Sequence, residues 1–191
     1  MRILFFLLIL FTNSLEASPV KWFAGSLVLN DGAVRVGEMA VKGEFDIVLF
    51  REGELVTVYA AHRIQSLNIY DRQASINRKF ISISDTLEAV VQHRLYEIVL
   101  RGEISVWRRQ RELSPGIDDR LDFNYYVFWN NTTIPLSKFR TRIFPKLMNI
   151  ASTQLTGFMH QQKLNSNRAS DAIRIIEFYN HQETFSTIAA K

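Results

Sequence analysis

Histidine spacing and cysteine content are the first places where this 191-residue chain could reveal metal or catalytic chemistry. No histidine stands two or four residues from another, the spacing that lets two imidazoles bind one metal ion. The chain has no HExxH sequence, no GxSxG nucleophile motif and no phosphate-binding glycine loop. Cysteine is absent, which excludes disulfides and thiol catalysis. We therefore predict no catalytic, cofactor-binding or metal-ligating residue, and interpret the histidines as surface or turn residues: His62, His93, His160 and His181.

Paired carboxylates would be the signature of a sugar hydrolase, which needs two of them on facing strands. Asp118 and Asp119 are an adjacent pair, with Asp122 close by. They follow Pro115-Gly116 in a polar stretch, where Asp is favoured for turn hydrogen bonds. The glutamate that closes a calcium-binding EF-hand loop is missing. We interpret these carboxylates as loop residues.

Two aromatic stretches invite a binding interpretation. Trp107-Arg108-Arg109-Gln110-Arg111 could stack on and neutralise a nucleic acid, but its ordinary interpretation is a strand that runs into a solvated loop from Arg108 to Leu121. The aromatic strand from Phe123 to Trp129 could form a sugar-stacking platform. Alternation would place Phe123 and Tyr125 on one face and Tyr126 and Phe128 on the other, so much of this set belongs to a core.

The N-terminus has the order of an export signal. Arg2 precedes nine large apolar residues, followed by the polar Thr12-Asn13-Ser14 and the small Ala17. The apolar run is shorter than the roughly 20 residues that span a bilayer, although an uncleaved anchor is the alternative. We predict a signal peptide over 1–17 and a protein exported to the periplasm or secreted. The lack of cysteine fits a bacterial periplasm, and export argues against a nucleic-acid partner.

Charge is unevenly distributed along the chain, whose net charge is +4. No acidic residue lies between Asp122 and Asp171. Such a segment either attracts anionic lipids, polysaccharides or an acidic protein, or is a solvated helical surface. Its cations are Lys138, Arg140, Arg142, Lys146, Lys163 and Arg168.

Hydrophobic periodicity divides the mature chain into a strand-rich part, 22–136, and a helical part, 137–191. Short apolar runs separated by turn residues, such as Asp31-Gly32 and Asn130-Asn131, predict eight to ten strands. Pro135 places the last strand at a sheet edge, because proline donates no hydrogen bond. We predict a single α+β domain over 18–191: an antiparallel sheet, or a partly closed barrel or roll, with two or three helices packed on it.

Two amphipathic patterns carry the helical prediction. The first has Gly157 within its stripe, which argues against an unbroken helix. The second begins with Asn167 as its cap. The predicted inner faces are Leu147, Ala151, Leu155, Phe158 and Met159 in the first helix, and Ala169, Ala172, Ile173, Ile176 and Tyr179 in the second.

Several short motifs resemble a family of uncharacterised exported proteins common in Bacteroidetes-type Gram-negative bacteria. They span nearly the whole mature chain: Trp22-x-x-Gly25-x-Leu27-x-Leu29-x-Asp31-Gly32, Val36-Gly37-Glu38, Asp46-Ile47-Val48, Asn77-Arg78-Lys79-Phe80, Leu95-Tyr96-Glu97-x-Val99, Val106-Trp107-Arg108-Arg109, Tyr126-Val127-Phe128, Ile134-Pro135-Leu136-x-Lys138-Phe139 and Ile175-Ile176-Glu177-Phe178-Tyr179-Asn180. The resemblance implies a location in the cell envelope. It transfers no activity and no site residue.

Two functional hypotheses follow. The first is a non-enzymatic envelope protein that binds or scaffolds another protein or an anionic surface component, without a membrane span after signal cleavage. The second is a hydrolase or carbohydrate-binding module whose site is assembled from dispersed residues. A deep pocket with converging polar groups would favour the second.

Cleavage of the predicted signal is testable by mass spectrometry of the exported protein. We expect an N-terminus at or within a few residues of Ser18, because Ala17 is the small residue that follows the polar region. Membrane-retained protein with an intact Met1 would instead show that the apolar run is an anchor.

Overall fold

A computed structural model of the chain describes residues 20–85, 92–111 and 123–189. The described part has ten strands followed by two helices, which confirms the predicted α+β class. The strands are β1 (Phe23–Leu29), β2 (Val34–Lys42), β3 (Ile47–Glu52), β4 (Leu55–Ala60), β5 (Ile64–Asp71), β6 (Ile76–Asp85), β7 (Gln92–Leu100), β8 (Ser105–Gln110), β9 (Phe123–Trp129) and β10 (Thr132–Pro135). The helices are α1 (Phe144–Gln162) and α2 (Ala169–Ala189), and none among the described residues is long and apolar enough to cross a membrane.

All ten strands belong to one antiparallel sheet that does not close on itself. Its order is β4-β3-β2-β1-β5-β6-β7-β8-β9-β10, so β1 lies between two meanders. Most neighbours in the sheet are therefore consecutive in the chain. The exception is β5, which returns to pair with β1 after a 3-10 turn at Ala61–Arg63.

One face of the sheet carries both hydrophobic cores. Because residues that pair across strands share a face, Met39, Leu27, Leu67, Phe80 and the residues aligned with them point to the same side. The first core is formed on this inner face by all seven strands from β1 to β7 in chain order, and the second lies between β8, β9 and the helices. The two halves of the sheet, β1–β7 and β8–β10, thus bury their inner faces in different ways.

The first half buries its inner face by curling. Asp46, in the turn between β2 and β3, reaches β7 and β8, although these strands lie several places away from β2 and β3 in the sheet. Its carboxylate accepts a hydrogen bond from the Leu95 backbone N–H at 2.8 Å and another from Arg109 at 2.9 Å. Gly25 and Gly37 pair on the inner face of the curl, and a Cβ on Gly25 would overlap the Asn68 carbonyl oxygen.

The second half is covered by the helices. Asn180 of α2 is buried, and its amide group donates to the Ile104 carbonyl at 2.8 Å and accepts from the Ile104 N–H at 3.0 Å. The Asn180 amide thereby makes the two hydrogen bonds that a neighbouring strand would make with the backbone of the turn between β7 and β8. Gly102 lies against this amide so closely that a Cβ there would overlap it.

The helix predictions need three corrections. The interruption in α1 lies at Ala151 (φ −136°, ψ 42°) and not at Gly157. In α2, Ala169 is exposed and Ile175 is fully buried, so the inner face is rotated from the predicted one. Asn167 does not cap α2, because the helix begins two residues later and the Asn167 side chain accepts a hydrogen bond from Arg140.

The ten strands agree with the predicted eight to ten, and two local features differ from the prediction. Arg108–Gln110, predicted to lie in a solvated loop, continue β8; the rest of that loop beyond Arg111 lies outside the described residues. At Asp31-Gly32 only Gly32 has a positive φ, so this turn is not the two-residue type that an Asp-Gly pair favours. Asn130 and Asn131 both have positive φ and form such a turn.

Ile176→Asp is expected to destabilise the protein by about 3–5 kcal/mol, because the Ile176 side chain is fully buried under the sheet and a carboxylate there would be unpaired. Urea unfolding followed by circular dichroism measures the loss. Ile150→Asp is the matched control: Ile150 is exposed on α1, and its substitution should cost less than about 0.5 kcal/mol. Sheet unfolding at an unchanged midpoint in the Ile176 variant would show that the helices form a separate unit.

Candidate functional site

A cavity of about 280 Å³ opens on the inner face where the two halves of the sheet meet. Its floor is apolar and includes Ala40, Ile69, Phe80 and Leu95. The charged residues that line it are Lys21, Lys42, Glu44, Asp71, Arg78, Glu97, Arg108 and Arg109. An apolar floor beneath a few converging polar groups is the usual construction of a small-molecule pocket.

One carboxylate shared by two guanidinium groups forms the polar wall of the cavity. Arg78 donates to Glu97 through Nε and Nη2 at 2.9 and 2.7 Å. Arg108 donates to the same carboxylate through Nε and Nη2 at 2.8 and 2.9 Å. Both contacts are bidentate, the strongest arrangement of arginine and carboxylate. We call this group the Arg-Glu-Arg triad.

Strand register brings the triad together. Glu97 of β7 pairs with Phe80 of β6 on one side and with Arg108 of β8 on the other. Arg78 lies two residues before Phe80 and so shares its face. Three consecutive strands therefore project their charged side chains to the inner face, between the two hydrophobic cores.

The triad has an unbalanced charge. Burial of Glu97 acts to raise its pKa, but the hydrogen bonds and charges of Arg78 and Arg108 outweigh burial and lower that pKa below its ordinary value of 4.5. Glu97 is therefore ionised at neutral pH, and the triad has two positive charges against one negative charge. Burial also lowers the pKa of Arg108, but its hydrogen bonds to Glu97 and Tyr125 and the Glu97 charge more than compensate and raise it.

Aromatic rings support both guanidinium groups. The Arg78 guanidinium lies 5.2 Å from the centroid of Phe80, and that of Arg108 lies 4.4 Å from the centroid of Phe123. Such stacking leaves the hydrogen-bonding edges of an arginine free for other groups. Each guanidinium has five N–H groups; the Glu97 contacts use two of them, and Arg108 also bonds Tyr125. Further donors thus remain beside the cavity.

The rim of the cavity contains both positively and negatively charged side chains. Asp71 accepts hydrogen bonds from two backbone N–H groups of its own turn and lies 3.8 Å from Lys21. Glu44 has a buried Oε2 that no hydrogen bond satisfies within the described residues. Lys42, two residues away, forms no ion pair with the described residues.

The histidines and carboxylates considered from the sequence fall into different places in the structure. His62 and His93 come together, with ring centroids 6.5 Å apart, whereas His160 and His181 are exposed. No group of three or more metal-binding side chains occurs in the described ranges. Asp118, Asp119 and Asp122 lie outside them, as does the predicted signal peptide.

The aromatic strand divides as predicted between the two faces. Phe123 lines the cavity on the inner face, and Tyr125 packs on the core beneath the helices. Tyr126 and Phe128 lie on the outer face, where they contact Tyr96 and Trp107; the closest pair, Trp107 and Phe128, stacks at 4.7 Å. Aromatic residues thus serve both the cavity and a separate outer cluster.

The Trp107–Arg111 stretch does not present a row of free arginines. Arg108 is paired with Glu97 and Arg109 with Asp46, so the interpretation as a solvated strand end was wrong for both residues. The basic residues of the helical segment behave differently. All six of them, from Lys138 to Arg168, are exposed.

Glu97→Gln is expected to destabilise the protein by about 1–3 kcal/mol at pH 7, because it leaves two partly buried guanidinium groups without their counter-charge. A lowered folded pKa contributes stability that is fully present above the ordinary value of 4.5 and is lost as the pH falls through the folded pKa. The difference in unfolding free energy between wild type and variant should therefore shrink between pH 7 and pH 3.

Urea titrations at several pH values measure this difference. Glu54→Gln serves as the control, because Glu54 is exposed in the turn between β3 and β4. A difference between wild type and Glu97→Gln that stays constant down to pH 3 would mean that the triad charge does not stabilise the fold.

Comparison with family models, with curated proteins and with solved structures gives no match to this chain. Its function is therefore inferred from the chemistry of the cavity and the surfaces around it.

Proposed function

We propose that this protein is an exported, non-enzymatic binding protein of the Gram-negative envelope, and that its cavity holds a small ligand with one acidic group and an apolar part. The observation that carries the proposal is the excess positive charge of the Arg-Glu-Arg triad beside an apolar floor. A ligand carboxylate or phosphate would neutralise that charge and accept the remaining guanidinium N–H groups. Its apolar part would cover Ile69, Phe80 and Leu95.

The state of Glu97 supports binding over hydrolysis. A general acid needs a raised pKa, whereas that of Glu97 is lowered. Both Glu97 oxygens already accept two hydrogen bonds each from arginine. Oδ1 of Asp71 accepts two N–H groups of its own turn, and Oδ2 lies 3.8 Å from Lys21. Among non-enzymatic proteins, the presence of a pocket favours a ligand-binding module over a scaffold.

The helical segment supports an anionic envelope component as partner. Its six cations are exposed, and the described residues between Phe123 and Ser170 contain no carboxylate side chain to neutralise them. Such a surface attracts anionic polymers or lipid headgroups over distances of about 10 Å at 0.1 M ionic strength. Location in the envelope rests on the N-terminal pattern and on the family resemblance described above.

Octanoate is expected to bind the purified protein at least about tenfold more tightly than 1-octanol or octylammonium, because one charge-assisted hydrogen bond contributes roughly 1.5–3 kcal/mol. These probes share one alkyl chain and differ in head-group charge, and isothermal titration calorimetry measures their affinities. Lys42→Gln should weaken octanoate binding, since Lys42 lines the rim. Lys138→Gln, on an exposed helical surface, should not change it.

Equal affinity for all three probes would contradict a charge-selective cavity. The same conclusion would follow if Lys42→Gln and Lys138→Gln weakened octanoate binding alike, since a general attraction to positive charge would then explain the result.

A further inference from the structure

The two edges of the sheet are protected to very different degrees. β10 has four residues and ends in Pro135, which cannot donate a hydrogen bond to a neighbouring strand. β4 has six residues, Leu55-Val56-Thr57-Val58-Tyr59-Ala60, with no charge, proline or register shift. Its first four residues are exposed. A regular apolar edge of this kind is a template for pairing with another strand.

The side chains of β4 are exposed to an unusual extent for their type. Leu55 is 78% exposed, Val56 is 51% exposed and Val58 is 55% exposed. Along the sheet, β4 pairs with β3 and with no other described strand. Its second row of backbone N–H and C=O groups consequently faces outward.

Hairpin geometry identifies which residues present that outward row. β3 and β4 are joined by the two-residue turn Gly53-Glu54, with Gly53 at positive φ, so Glu52 and Leu55 form the closing hydrogen-bonded pair. Hydrogen-bonded pairs alternate along the ladder. The backbone groups of Thr57 therefore point to β3, and those of Val56 and Val58 point outward.

We propose that β4 is the contact strand of a symmetric homodimer, in which the β4 strands of two copies pair antiparallel about Thr57. Val56 of one copy then exchanges two backbone hydrogen bonds with Val58 of the second copy, and the reverse pair does the same. Thr57 faces Thr57 of the second copy across the twofold axis. This register keeps like faces of the two sheets on the same side, since paired residues must share a face.

Charges at the ends of the strand favour a second copy as the occupant. Glu52 and Glu54 precede β4, and His62 and Arg63 follow it; all four are exposed. An antiparallel copy places the acidic start of one strand beside the basic end of the other. Glu52 ends β3 and lies across the turn from β4, so Glu54 is the acidic residue that comes nearest to the turn of the second copy carrying His62 and Arg63, at both ends of the pair. Opposite charges close to each other across antiparallel strands favour this pairing.

The contact is small, which sets the expected strength of the dimer. A pair of six-residue strands with their flanking side chains buries less than the roughly 1,200–2,000 Å² of a stable specific interface. We expect an equilibrium between monomer and dimer at micromolar or higher concentration. The proposal does not depend on the function proposed for the cavity.

Thr57→Cys tests the register, because the chain has no other cysteine. Facing residues of a pair without mutual hydrogen bonds have Cα atoms about 4.5 Å apart, a separation that a disulfide spans. Under mild air oxidation the purified variant should form a covalent dimer on non-reducing gels. Val36→Cys, at a residue that is 75% exposed on β2, is the matched control and should stay monomeric. Equal cross-linking of the two variants would overturn the proposed register.

Charge substitution tests the symmetry. Thr57→Lys and Thr57→Glu should each abolish the dimer in sedimentation velocity experiments, because each places like charges on the twofold axis. An equimolar mixture of the two variants should restore it. Three results would overturn the proposal: a wild-type protein that is monomeric at millimolar concentration, a Thr57→Lys variant that dimerises as wild type does, or association that continues into open-ended aggregates.

Discussion

Glu97 joins the two halves of this protein, because its carboxylate is the only counter-charge that the structure gives to Arg78 and Arg108 among the described residues. Withdrawing a guanidinium from water without a partner is costly, and here two partly buried ones come from the strands on either side of β7. While ionised, that carboxylate therefore ties β6, β7 and β8 together on the inner face between the two hydrophobic cores. Its lowered pKa follows from the same contacts.

The position of the triad explains why the cavity lies where it does. The first half of the sheet covers its inner face by curling until Asp46 reaches Leu95 and Arg109. The second half is covered by α2, fixed by the hydrogen bonds of Asn180. Neither cover extends over the seam between the halves. A polar wall and an apolar floor remain accessible there, which is the arrangement a ligand with an acidic end requires.

The same construction leaves the two edges of the sheet unequal. Curling brings the β2–β3 turn and the 61–63 turn against β6 and β7, as the bond from Ser82 to the Ala61 carbonyl shows. It leaves the outer row of β4 uncovered, with Val56 and Val58 exposed. An open sheet has two edges that need protection, and here proline protects one of them. Pairing of the β4 strands of two copies would remove the other exposed edge and leave the cavity open.

The sequence by itself determined the elements. Runs of apolar residues between turn residues predicted eight to ten strands, amphipathic periodicity predicted two or three helices, and Pro135 placed β10 at an edge, because these signals act within a few residues. Sequence spacing did not reveal the triad: Arg78, Glu97 and Arg108 are separated by 19 and 11 residues. Only strand register aligns them on one face, and only the curl of the sheet brings Asp46 to Arg109. Register and curl depend on the burial of a whole sheet face, a collective property that no local pattern records.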